Sequence, residues 1–273
     1  MSTIITAESA RNYIKNLDIP TDKEVSDFFK KHNIVKAEAD DVPANEDNKN
    51  SAVVDAGSLI SFTDKLTGLQ KEDVQNSTLL AQLAANTDVK KKGGTRESMV
   101  SAWYDKYIEV LNNIGWIITG FAMHEYKTKD DSFTLDKAVL DIAEAVASGN
   151  ELKMMTATMG ALGSLADESG QMNLFNKSST QGGDSNFQIA PCDVGNDGSV
   201  IMILTGTAAT SKIVSTRFLW IKRDKKETSV HASANKVVLN EKVYAYVRDD
   251  IITKLAGHGV DYVRNLDVDF DFD

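Results

Sequence analysis

"NFQIAPCDVGNDGSVIMILTGTAAT", Asn186 to Thr210, is the stretch whose reading decides the fold class. Its apolar residues follow a period near two, and Asp197-Gly198 is a tight-turn pair, so it reads as a β-hairpin. Upstream of it the period is 3.6. "AESARNYIKNL" and "TDKEVSDFFKKHN" read as two short helices broken at Pro20 and Thr21. "KEDVQNSTLLAQLAANTDV" reads as another helix. A further helix starts near Thr134, with Leu135, Val139, Ile142 and Val146 on one face and Gly149 as its stop. Asn150 is the expected cap of the next, "ELKMMTATMGALGSLADE".

The longest apolar run is "IGWIITGFAM", Ile114 to Met123. A helix that crosses a bilayer needs about 20 apolar residues, so a simple transmembrane helix is rejected. Met99, Trp103, Tyr107, Val110, Ile114, Ile117 and Phe121 recur at threes and fours. With Thr95 as cap, that spacing predicts a core helix of about 30 residues, or two stacked shorter ones.

Residues 34–55 are polar and acidic and read as a surface loop, and 57–68 are ambiguous. "SGQMNLFNKSSTQGGDSN", residues 169–186, has the composition of a linker or long loop. "TRFLWIKR" and "TSVHASANKVVL" read as a second hairpin across "DKKE". Residues 241–256 read as a helix capped by Asn240 and closed by Gly257, and Leu266 to Asp273 alternate like an edge strand. The expected architecture is α+β, because helices and strands segregate along the chain. A helical part covers 1–168, the linker 169–186, and a β-meander with one C-terminal helix 187–273, with the parts able to form one compact domain.

A formal net charge of −10, with one short basic cluster (Arg217, Lys222, Arg223, Lys225, Lys226), argues against sequence-independent nucleic-acid binding. Beside Trp220 the cluster could touch an anionic surface, but Lys225, Lys226 and Glu227 fall in the expected turn and read as a solvated hairpin tip. The single cysteine, Cys192, rules out an intramolecular disulfide framework. The N-terminal residues carry no signal-peptide pattern, so the expected location is the cytoplasm, or outside the cell by another export route.

No catalytic signature emerges, and the reading leans away from an enzyme. There is no G-x-S-x-G elbow, and Ser164 lies in a helical context. Cys192 has no neighbouring histidine and reads as an inert thiol. The histidines at 32, 124, 231 and 258 have no zinc-ligand spacing. Asp267, Asp269 and Asp271 would share one face of a strand and are weak calcium candidates, although a charged edge strand explains the same pattern. No cofactor or small-molecule ligand is expected. Gly160 and Gly163 lie inside a helix, which argues against a dinucleotide fold.

"FLWIK", "VVLNEKVYAYVRDDI" and "YVRNLDV" carry a resemblance over about residues 187–268. This part resembles a family of uncharacterised bacterial proteins, some of them accessory proteins encoded beside helical pore-forming toxin components. The resemblance implies a binding or accessory role and transfers no functional residue. The leading expectation is a non-enzymatic accessory protein, linked to a toxin system, that self-associates or binds a protein partner. Trp116, Phe121, Met155, Met159 and Trp220 are its candidate contact residues. The alternative is a membrane-active, pore-forming component that inserts helices 110–123 and 152–165. An enzyme of unrecognised type is the third reading.

Overall fold

The hairpin read first from sequence is the centre of the molecule. In the computed structural model β7 (Asp184–Val194) and β8 (Val200–Thr210) pair antiparallel around Gly198, whose φ is +84°. The structure describes residues 6–35, 37–38, 41–256, 258–268 and 270. β10 (Ser229–Leu239) continues the sheet beyond β8. On the other side β2 (Ser58–Phe62) joins β7 in parallel, followed by β1 (Ser51–Asp55) and β11 (Val263–Leu266). Short strands β3 (Trp116–Ile117) and β4 (His124–Glu125) both pair with the outer edge of β10. β6 (Thr180–Gln181) pairs with the start of β7. A separate two-stranded ribbon joins β5 (Ser132–Phe133) to β9 (Arg223–Asp224).

Helices cover both faces of this sheet. α3 (Gly68–Lys91) and α4 (Val100–Asn113) pack together on one face; α5 (Leu135–Ala143), α6 (Gly149–Ser164) and α7 (Gly170–Ser179) lie on the other. α1 (Ala7–Asn16), α2 (Asp22–His32), α8 (Glu241–Ala245), α9 (Arg248–Leu255) and α10 (His258–Tyr262) complete the helices, with α1 and α9 in contact and α9 against α3. Asp73 of α3 and Arg248 of α9 form a two-pronged ion pair at 2.7 Å in both bonds. One hydrophobic core runs through both layers and the sheet. The fold is α+β, as expected.

Local chemistry explains where the sequence reading held. Thr6, Thr21, Thr67 and Ser148 each close a capping box at a helix start. Ser148, not Asn150, caps α6, and Gly149 opens that helix instead of stopping α5. Asn240 does cap the helical stretch that follows β10. That stretch is split into α8 and α9 instead of running unbroken over 241–256, and Gly257 lies outside the described residues.

Four expectations fail. Residues 51–55 are a buried strand rather than surface loop, because Ala52, Val53 and Val54 are covered on both sides. The 169–186 stretch holds helix α7, whose Met172, Leu174 and Phe175 are fully buried among its polar neighbours. "TRFLWIKR" forms turns with only the short β9 at its end, and Phe218 and Leu219 fill the core from there. The helix across 110–123 stops at Asn113. Gly115 (φ +113°) and Gly120 (φ +70°) sit in left-handed conformations that an α-helix does not contain, so "IGWIITGFAM" becomes an edge segment.

Candidate functional site

The densest buried polar chemistry lies where the α3–α4 layer meets the sheet. It begins at the β1–β2 turn, Ala56-Gly57, with Ala56 at φ +47°. Asp55 ends β1 opposite Ser58, and both side chains are almost completely buried. The Thr78 hydroxyl on α3 donates to Asp55 Oδ2. Gln82, one turn on, donates to the Asp55 carbonyl at 3.0 Å and accepts from Gly57 N–H at 3.0 Å.

Arg96, in the α3–α4 connection, ties four elements together. It donates to Gln82 Oε1 at 3.0 Å, to Gln188 Oε1 on β7 at 2.7 Å, and to the carbonyls of Gly57 and Ser178. Its guanidinium lies 4.3 Å from the Trp103 ring centre. A side chain at position 57 would sit 2.3 Å from Arg96 Nη1, so the turn needs glycine there. Gln188 then donates to Tyr104 OH at 2.7 Å and accepts from Ser58 Oγ at 2.9 Å. Gly206 on β8 lets the Tyr104 ring approach; an added Cβ would be 2.7 Å from it.

The electrostatics of this seam are unbalanced. Burial pushes the Asp55 carboxyl up to about 7, against the opposing pull of the Thr78 hydrogen bond and the Arg96 charge. Burial also lowers the Arg96 pKa and raises that of the Tyr107 phenol well above its ordinary value, with Asp55 adding to the latter. Among the described residues, Asp55 Oδ1, Arg96 Nε and Tyr107 OH are buried without a hydrogen-bond partner. Each orphaned group costs about 1–3 kcal/mol. The seam therefore holds two layers together and also weakens their contact once Asp55 ionises.

The residues singled out from sequence do not converge there. Trp116, Met155 and Met159 are buried. Phe121 rests on Tyr104, ring centres 5.3 Å apart, and Trp220 covers Gly163 on α6. Arg217 is held by Asp167 and Arg223 is buried, while Lys225, Lys226 and Glu227 form the turn expected before β10, with Lys226 and Glu227 exposed. Cys192 is buried, and burial raises its thiol well above the ordinary range. Asp267 follows β11; Asp269 and Asp271 lie outside the described residues. Among the described residues no group of His, Cys, Asp or Glu could hold a metal ion, and no helix is long and apolar enough to cross a membrane. The seam was missed because its members are scattered from Asp55 to Gln188. The one available signal was Arg96 beside the apolar helix start.

No family model matches the chain, and no curated protein matches it. The resemblance expected for residues 187–268 thus gains no family-level support. Among solved structures the chain is similar to a delta-endotoxin, with TM-score 0.41 and 11% identity over 75% of this chain and 87% of that one. It is also similar to the Evf virulence factor, with TM-score 0.30 and 13% identity over 91% and 92%. At these values the likeness carries no functional argument.

Proposed function

We propose that the protein acts on lipid bilayers through its sheet, with the helical layers as a removable sheath. The observation that carries this reading is the dimension and pattern of the three central strands. β7, β8 and β10 are each 11 residues long, and a strand that spans a bilayer needs about 9–11. Their α5–α7 face carries Phe187, Ile189, Ile201, Ile203, Val230, Ala232 and Val238, interrupted by Thr205 and Thr207 and by Asp193 and Lys236 toward its ends. Their α3–α4 face mixes Asn186, Gln188, Gly206, His231, Ser233 and Asn235 with Ala190, Cys192, Met202, Leu204, Ala208 and Val237. A spanning strand needs one apolar and one more polar face. The polar face is also the one sealed by the ionisable seam.

A sheet edge cannot stand open in hydrocarbon, so insertion requires several copies to close a barrel. The reading thus joins the self-association and membrane expectations and replaces inserting helices with inserting strands. Purified protein added to phosphatidylcholine vesicles loaded with a self-quenching dye tests it. Dye release, with residues 184–239 protected from protease only when lipid is present, supports it. Folded protein that neither binds the vesicles nor releases dye, from about pH 6 to about pH 9, sinks it.

A further inference from the structure

Among the described residues, the outer edge of β10 is paired only at its two ends. Ile117 and Trp116 pair with Val238 and Leu239; His124 and Glu125 pair with Ala232 and His231. Between these ladders Ser233–Val237 faces Ile118–Met123, five residues against six. One surplus residue is what a single β-bulge absorbs. The two short strands thus have the register that the ends of one bulged strand, 116–125, would have, with the residues between them off the sheet.

The backbone keeps the vacancy. Val230 O accepts from Tyr126 N–H at 2.8 Å, and Asn240 N–H donates to Gly115 O at 2.9 Å, so these even-numbered residues turn their peptide groups outward. Alternation turns Ala234 and Lys236 the same way. Among the described residues no backbone hydrogen bond joins 118–123 to Ser233–Val237. Ile118, Thr119 and Phe121 favour strand conformation, and the segment contains no proline. Three features hold it away: the left-handed Gly120, Phe121 seated on Tyr104, and Ile118 N–H bonded to Asn112 Oδ1 at 3.3 Å. Phe121 and Met123 line a cleft of about 620 Å³ with Tyr104, Ile108 and His231.

We propose that Ser233–Val237 is a strand-receiving site whose occupant is this chain's own Ile118–Met123. In the second state residues 116–125 form one bulged edge strand, Ala234 and Lys236 gain backbone partners, and Phe121 leaves Tyr104. Edge completion and loosening of α4 are then one event. This inference does not depend on the bilayer reading, and its test uses no lipid.

Gly120→Val is the first probe. A Cβ there meets nothing within 4 Å, so the substitution acts on the backbone alone. An L-residue resists the left-handed conformation, which shifts the balance toward the strand about ten-fold. Amide exchange of Ala234 and Lys236, read by NMR, is expected to slow about two- to five-fold in Gly120→Val, as a ten-fold shift gives when the strand starts as about a tenth to a half of the population, with the rest of the sheet unchanged. The second probe is Thr119→Cys with Lys236→Cys, residues that oppose each other on the α5–α7 face only when the strand is complete. Mild oxidation is expected to give an intramolecular disulfide in the monomer. Unchanged exchange in folded Gly120→Val, or a cysteine pair that stays reduced or links two molecules, overturns the proposal. If Gly120→Val fails to fold, the cysteine pair decides alone.

Discussion

Replacing Asp55 with asparagine isolates the imbalance in the seam. Asp55 is completely buried, and its pKa stands at about 7 against an ordinary 3.8. That gap corresponds to about 4 kcal/mol between the protonation states. The sign follows from linkage. The folded state holds the Asp55 proton more tightly than the unfolded chain does, so its contribution is full below 3.8, falls as pH rises, and is gone above about 7. Asparagine cannot ionise, so it avoids that loss. Its carbonyl can keep the Thr78 hydrogen bond, but its amide replaces Oδ1, which has no partner. A new unmet donor costs about 1–3 kcal/mol at every pH. Asp55→Asn should therefore be less stable than wild type by about 1–3 kcal/mol near pH 4, and more stable by about 1–3 kcal/mol near pH 8. Urea unfolding of both proteins across this range measures the difference directly, and the titrations of other carboxylates cancel. A difference that does not change with pH would refute the reasoning.

Arg96→Met removes the donor shared by Gln82, Gln188 and two carbonyls, and should cost about 3–5 kcal/mol in urea unfolding, with Arg96→Lys recovering only part. Phe187→Ala opens the cluster with Phe175 and Phe218, whose ring centres lie 6.2 and 5.4 Å away, and should cost about 3–5 kcal/mol by thermal unfolding. The buried Cys192 should resist a thiol reagent in native buffer and react fully in denaturant. On the bilayer reading, vesicles should raise its labelling rate before dye release is complete, and a rate indifferent to lipid would speak against loss of the sheath.

The central hairpin was legible because Asp197-Gly198 states its own turn and the strands on either side are long. Helix α2 was legible because Thr21 and Glu24 mark a helix start within a few residues. β1 and β2 were not. Each is five residues, buried on both faces, and lacks the alternation that a half-exposed strand shows. α7 was hidden because six of its ten residues are Gly, Gln, Asn or Ser, while its burial is supplied by tertiary neighbours. The run ending at Met123 matched a helical period by coincidence. Two glycines at positive φ decide against the helix, and a period count does not weigh them. The seam could not be read because Asp55, Arg96 and Gln188 become neighbours only after a parallel pairing that joins β2 to β7.

That parallel pairing also governs how the chain reaches its structure. Val54 sits against Arg264 on one side of β1, and Ser61 against Pro191 across β2. The hairpin of residues 51–62 leaves a ribosome long before either partner exists. At 5–20 residues per second, the roughly 200 residues to β11 take about 10–40 s to synthesise. Until β7 appears, about 120 residues and 6–24 s on, two strands of mostly apolar residues have neither neighbour in the sheet, and β1 waits the full interval for β11. Contacts this distant in sequence make the final step slow. During synthesis, α3 is the first part of the sheath able to cover them, and its apolar residues Val74, Leu79, Leu80 and Leu83 follow the hairpin directly. Folding should thus begin as a helix lying on a bare hairpin, and a truncated chain ending near residue 92 would be the earliest species in which chaperone binding begins to fall.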